Sequence, residues 1–146
     1  DRGAMAGDHG LAARPPISPS PDAAPFWAAA ARHELLLPYC APCAGHFFYP
    51  RAFCPSCGSR SVEWRPVSGR GTLYTFCIQY RSNLPGFVDA GPFVTAIVEL
   101  AEGPRLMSLL VGVPADPAAI RCDLPVEVAF VDYDDGQSLP VFRPAG

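Results

Sequence analysis

No lysine occurs in this sequence: all eleven basic residues among its 146 are arginine. A phosphate loop ending in Gly-Lys-Ser or Gly-Lys-Thr is thereby excluded. Gly69-Arg70-Gly71, the nearest glycine-rich stretch, is too short for one and has no helix pattern behind it. Because Ala and Pro are abundant as well, the arginine-only usage reads as codon bias of a GC-rich genome, and a single Arg carries little functional weight. No apolar run approaches the roughly eighteen residues of a membrane-spanning helix. No succession of basic, apolar and small residues marks a secretory leader, so a reducing cytoplasm is the expected compartment and disulfides are not expected. A nucleophile with a positioned base is missing too. Cys77 lies in an apolar strand pattern and Cys122 stands beside Asp123, neither with a cue for a lowered pKa. Asp132, Asp134 and Asp135 lead up to Gly136 and read as a hairpin turn, with a carboxylate cluster for acid/base or Mg2+ chemistry as the alternative.

What is present starts with enough apolar content, 49%, to build a core in one ordinary domain or two small ones. The formal charge of −3 is unevenly spread. Residues 51–81 hold five Arg against Glu63 alone, and residues 82–146 hold nine acids against three Arg. The middle therefore reads as a basic patch able to attract phosphates, or as a solvated loop surface, on an otherwise acidic chain.

Cys40-Ala-Pro-Cys43 and Cys54-Pro-Ser-Cys57 set four thiols in two Cys-x-x-Cys pairs with ten residues between them. Each two-residue gap lets both sulfurs of a tight knuckle point the same way, and two facing knuckles close a tetrahedral site with no open position. The expected metal is structural zinc, bound by Cys40, Cys43, Cys54 and Cys57. Phe47, Phe48 and Tyr49 are expected to fold against the knuckles, and Gly58 to supply a turn with positive φ. His33 and His46 are expected to be a helix-end cation and a ribbon surface residue, not ligands.

In chain order, residues 1–20 lack apolar periodicity and are expected to form a disordered tail. Pro21 onward reads as a short helix over Ala24 to His33, with Phe26 and Trp27 on an apolar face. Leu35 to Leu37 read as a short strand into the first knuckle, and Ser61 to Ser68 as the last ribbon strand, with Trp64 packed between ribbon and barrel. Beyond the Ser68-Gly-Arg-Gly-Thr72 turn, strands are expected at Thr72–Tyr80, Phe93–Leu100, Arg105–Val111, Val126–Tyr133 and Leu139–Phe142, with a non-strand insert at 115–120. Five such strands make a small Greek-key barrel, the OB-fold. The fold is thus mainly β: an N-terminal helix and zinc ribbon over 21–67, then a five-stranded barrel over 68–146. Tyr74, Phe76 and Tyr80 alternate and are expected to share one face, filling the barrel or, in the other reading, stacking bases.

The order Pro-Phe-Trp, Cys-x-x-Cys, Phe-x-Tyr-Pro-Arg, Cys-Pro-x-Cys-Gly, Ser-Gly-Arg-Gly-Thr-Leu-Tyr-Thr-Phe and Asp-Asp-Gly-x-x-Leu-Pro-Val-Phe resembles the rubredoxin-type zinc-ribbon plus OB-fold proteins of acyl-CoA metabolism, over about residues 22–146. The resemblance implies a non-catalytic accessory subunit for a thiolase-like aldolase or acyltransferase, or for a hotdog-fold hydratase. It assigns zinc to the four knuckle cysteines and transfers no catalytic residue. In such a module Arg51, Arg65, Arg70 or Arg81 would hold CoA phosphates, and the Phe26 and Trp27 helix would contact the partner. The competing expectation is a single-stranded nucleic-acid binder, which the net charge, the absence of Lys and the motifs disfavour.

Overall fold

The computed structural model describes residues 14–88 and 91–146. Most of the expected tail, residues 1–13, lies outside the described residues. At its described end the Arg14 guanidinium sits 3.7 Å over the ring of Phe87.

A single turn of 3-10 helix at Pro21–Ala23 leads into α1, Ala24–Ala31. The prolines open it, since their fixed φ suits a first turn and their missing N–H has no helical partner to lose. It ends two residues sooner than expected, because His33 takes the left-handed conformation with φ 59. Phe26, Ala29 and Ala30 are buried.

Three short strands form the ribbon, β1 Leu36–Cys40, β2 Gly45–His46 and β3 Val62–Pro66, with β1 in the middle of an antiparallel sheet. Five more close a barrel: β4 Arg70–Gln79, β5 Phe93–Leu100, β6 Arg105–Leu110, β7 Pro125–Asp132 and β8 Ser138–Pro144, in the order β4-β5-β6-β8-β7. The expected hairpin turns join β5 to β6 and β7 to β8, the latter closed by Tyr133 N donating to Gln137 O at 2.7 Å. On β5 strict alternation buries Val94, Ala96, Val98 and Leu100, as a half-buried strand requires.

Closure depends on glycine at the start of β4. Gly71 is paired on one side with Leu100 and on the other with Val126. A Cβ on Gly71 would stand 2.3 Å from Glu99 O, and one on Gly69, at φ +76, 2.3 Å from Val128 Cγ1.

A bulge between Leu73 and Thr75 breaks the expected alternation of aromatics on β4. Leu73 is fully buried, while Tyr74 is 48% exposed and carries the Arg105 guanidinium 3.7 Å over its ring. After the extra residue the inward phase resumes at Phe76 and Ile78, which pack on the core. Tyr80 lies beyond the end of the strand and is exposed. The barrel is therefore filled by Phe76 but not by Tyr74 or Tyr80.

One core runs through the helix, the base of the ribbon and the barrel. Phe26, Leu35 and Leu37 join Leu73, Val98, Val126 and Phe142 in it, and Trp64 packs against it as expected. At about 1.5–3 kcal/mol for each large apolar side chain removed from water, this shared interior fixes the ribbon against the barrel. A further tie is Ser68 N, which donates to Glu102 Oε1 at 2.7 Å and so holds the connecting turn on the β5–β6 hairpin. Among the described residues no helix is long and apolar enough to cross a membrane.

Candidate functional site

Two knuckles face one another at the outer end of the ribbon. Ala44, at φ 52, and Gly58, at φ 74, occupy the same place after the second cysteine of each. There the chain must turn left-handed so that backbone N–H groups point back toward sulfur or carbonyl acceptors. In the second knuckle Gly58 N donates to Cys54 O at 2.9 Å and Ser56 N to Cys54 Sγ at 3.4 Å. In the first, Ala44 N donates to Ala41 O at 3.2 Å.

The result is four sulfurs within 4.8 Å of one another, the one group of this kind among the described residues. Cys40 Sγ lies 3.6 Å from Cys57 Sγ, and Cys43 Sγ 3.8 Å from Cys54 Sγ. Ligands about 2.3 Å from a tetrahedral zinc stand about 3.8 Å apart, so the donor set and its spacing both fit the ion. The thiols are also differentiated before any ligation. The N–H groups of Cys57 and then Ser56 bring the Cys54 thiol down to about 6, while hydrogen bonding to Cys57 and Cys40 pushes Cys43 up to about 12. At Cys54 the knuckle backbone thus stabilises negative sulfur, the form that binds metal. Bound zinc supplies folding energy here and, with four protein ligands, no open position for catalysis.

Packing supports the centre on one side only. Cys40, Cys54 and Phe47 form a small buried cluster with Val62 against it, whereas Cys43 and Cys57 are exposed. Of the three aromatics expected on the knuckles, Phe47 alone packs there. Phe48 turns to the main core, its ring 5.5 Å from Phe26, and Tyr49 is 45% exposed. His46 stays out of the cysteine group and lies edge-on to Tyr39 at 5.1 Å. His33 is likewise no ligand.

The other sequence-derived contacts do not assemble. Phe26 is only 4% exposed and belongs to the core; its neighbour Trp27, edge-on at 5.0 Å, is half-buried against the same core. Arg65 stacks 3.7 Å over Tyr39 and pairs with Glu63 at 2.9 Å, so its charge is already engaged. Arg51, Arg70 and Arg81 are exposed. Arg70 is the first residue of the ten-residue strand β4 and Arg81 lies two residues beyond its last, so the two arginines stand at opposite ends of that strand. The basic segment 51–81 is therefore not one patch. Nor do Asp132, Asp134 and Asp135 form a metal-ligating group with one another. Asp132 accepts hydrogen bonds from the Ser138 hydroxyl and pairs with His33, and Asp135 Oδ1 accepts from Gln137 N at 3.0 Å within the turn. Cys77 is exposed and receives Gln79 Nε2 at 3.4 Å, with no base beside it. The His33–Asp132 pair was missed from the sequence, where nothing local marks it.

Comparison with known proteins agrees with this architecture. Residues 27–63 match the family model described as ChsH2, rubredoxin-like zinc ribbon domain, and residues 64–131 the one described as ChsH2, C-terminal OB-fold domain. A "DUF35 domain-containing scaffold protein" of Methanothermobacter thermautotrophicus is 34% identical over 100 residues, covering 68% of this chain and 73% of that protein. A "probable enoyl-CoA hydratase alpha subunit" of Thermomonospora curvata is 36% identical over 121 residues, covering 82% of this chain but only 37% of the relative's length. A solved chain of an "Ltp2-ChsH2(DUF35) aldolase" superposes with a TM-score of 0.77 at 35% identity, over 91% of this chain and all of the other. A rubredoxin-like ribbon with its zinc cysteines, followed directly by an OB-fold barrel on a common core, makes this chain a member of the DUF35 family in its ChsH2-type form.

Proposed function

We propose that this chain is a non-catalytic accessory subunit of the cytoplasm, joining a thiolase-like aldolase or acyltransferase, or a hotdog-fold hydratase, and assisting acyl-CoA binding in the complex. The observation that carries the reading is the match along nearly the whole described chain to one component of a solved aldolase. It is supported by the lack, among the described residues, of a nucleophile with a base in hydrogen-bonding reach. In this reading residues 21–67 are the docking part and residues 68–146 complete the partner's substrate channel.

CoA carries its phosphates far from its thioester. A rigid neighbour that holds the former while the partner acts on the latter turns remote binding energy into orientation at the reacting bond. Arg70 and Arg81, at the two ends of β4, are the candidates for that contact. The test is the partner's KM for CoA thioesters against pantetheine thioesters. Arg→Ala at the contacting position raises the former and spares the latter; equal effects on both would contradict the phosphate role. The exposed rings of Tyr74 and Tyr80 keep a second reading, single-stranded nucleic-acid binding, testable by titration across salt. Backbone binding weakens steeply with salt, and a salt-insensitive or absent signal removes that reading.

A further inference from the structure

The Arg14 guanidinium lies 3.7 Å over the Phe87 ring, and that ring packs on Phe93 at 4.9 Å. Phe93 opens β5, so the barrel fixes the orientation of the pair. Phe87 is also held in a turn by its own N–H, which donates to Leu84 O at 3.0 Å. A third aromatic joins them from β7–β8. Burial raises the Tyr133 phenol, and the Arg14 charge works against that rise, so the charge reaches Tyr133 as well.

The chemistry of this place favours a cation. Aromatic faces carry negative potential, and a planar guanidinium stacks on them where an ammonium cannot. The β7–β8 turn adds the exposed Asp134 and Asp135, and Asp135 acts on the same phenol in the sense opposite to Arg14. A phosphate would meet like charge there.

The segment that delivers Arg14 is restricted along its length. Residues 14–20 contain Pro15, Pro16 and Pro19, each with φ fixed near −65°, so laying the segment down costs less entropy than for a flexible chain. Ile17, midway, is half-buried. The far end is secured where Ala23, fully buried, donates its N–H to Ser20 O at 3.0 Å. A short tether to a fixed point keeps the arginine at high effective concentration over the rings.

OB-folds take ligands on the loops that join their first two and their last two strands. Phe87 lies between β4 and β5, and Tyr133 between β7 and β8. We infer that Phe87, Phe93 and Tyr133 form a guanidinium-binding site filled in cis by Arg14, and that residues 14–20 are a strap closing this end of the barrel. Opening the strap frees the rings for a guanidinium from outside.

The experiment is chymotrypsin digestion of the full zinc-loaded chain, with cleavage after Phe87 and after Phe53 timed separately by mass spectrometry. Phe53, exposed on the ribbon, reports any general loosening. Arg14→Ala is expected to speed cleavage after Phe87 by about two- to fivefold, the size of an exposed cation–π contact, and to leave cleavage after Phe53 unchanged. Added ethylguanidinium is expected to restore protection of Phe87 in Arg14→Ala, more than ethylammonium at the same concentration, and to change nothing in the wild type. In NMR spectra of ring-labelled tyrosine, the Tyr133 titration should move up in Arg14→Ala, since a positive charge favouring its anion is gone, while Tyr39 stays in place. Unchanged cleavage after Phe87, or an increase that ethylguanidinium does not reverse, overturns the inference, as does an unmoved Tyr133. Protection that falls as the wild type is diluted shows that the arginine comes from a second copy, and overturns the strap in cis.

Discussion

His33 Nε2 lies 2.7 Å from Asp132 Oδ1, and the His33 ring lies flat on Phe130 at 4.9 Å with 3° between the planes. The end of α1 is thereby fastened to the β7–β8 hairpin. The Ser138 hydroxyl first, and His33 second, hold the Asp132 carboxyl below its ordinary value. A carboxylate depressed in the folded state stabilises the protein above its unfolded pKa, and that contribution is lost as pH falls through the folded value. Asp132→Asn is expected to lower stability at pH 7 by about 1 kcal/mol or less, as for an exposed pair. The difference from wild type should shrink steadily below about pH 4. Denaturant melts of both proteins across pH test this; a difference that grows on acidification contradicts it.

Removing zinc should unfold the ribbon and loosen the shared core beneath it. Metal analysis is expected to give about one zinc per chain from the four-cysteine set. Cys54→Ser is expected to lose metal and thermal stability together, and zinc retention should fall with pH because protons compete for the thiolates. A chain that melts identically with and without chelator would contradict a structural role.

Glycine positions should differ in cost for reasons visible at each. Gly71→Ala drives a methyl into Glu99 O, a backbone atom that cannot move without opening β4 from β5, and should cost more than about 3 kcal/mol. Gly58→Ala meets nothing within 4 Å but keeps its φ of +74, so about 1 kcal/mol is expected. Ala44→Gly, at φ 52, should be neutral or stabilising. Urea midpoints order the three, and a Gly71→Ala protein as stable as wild type would contradict the close approach.

Much of this was legible because the signals were local. Two Cys-x-x-Cys pairs act within a few residues of each sulfur, and the turn residues around Ala101 and Asp134 bound their strands wherever the barrel lies. Four things were not legible, each for a physical reason. The bulge at Tyr74 adds one residue to β4 and so defeats a period-two reading of its aromatics. Phe26 belongs to an apolar pattern that fits an exposed stripe as well as a buried one, and only the packing of Phe48 and the barrel decides. His33 and Asp132 are ninety-nine residues apart, and no local pattern announces a partner at that distance. The segment 51–81 read as a basic patch or a solvated loop surface because sequence counts charge along the chain, while strand β4 sets Arg70 and Arg81 at its opposite ends.

The Arg70 and Arg81 positions yield a prediction of their own. Arg70 and Arg81 lie at opposite ends of β4, and Arg→Ala at whichever one meets the nucleotide should raise the partner's KM for CoA thioesters several-fold. No increase with either variant would contradict the phosphate role.

The most direct test of the central claim is the partner's kcat/KM for an acyl-CoA thioester, measured with and without this chain, alongside the chain alone. The accessory account predicts no turnover by the isolated chain and a rise in the partner's kcat/KM that saturates at one chain per partner subunit. Turnover by the chain alone, or a partner whose kinetics are the same in its absence, would contradict it.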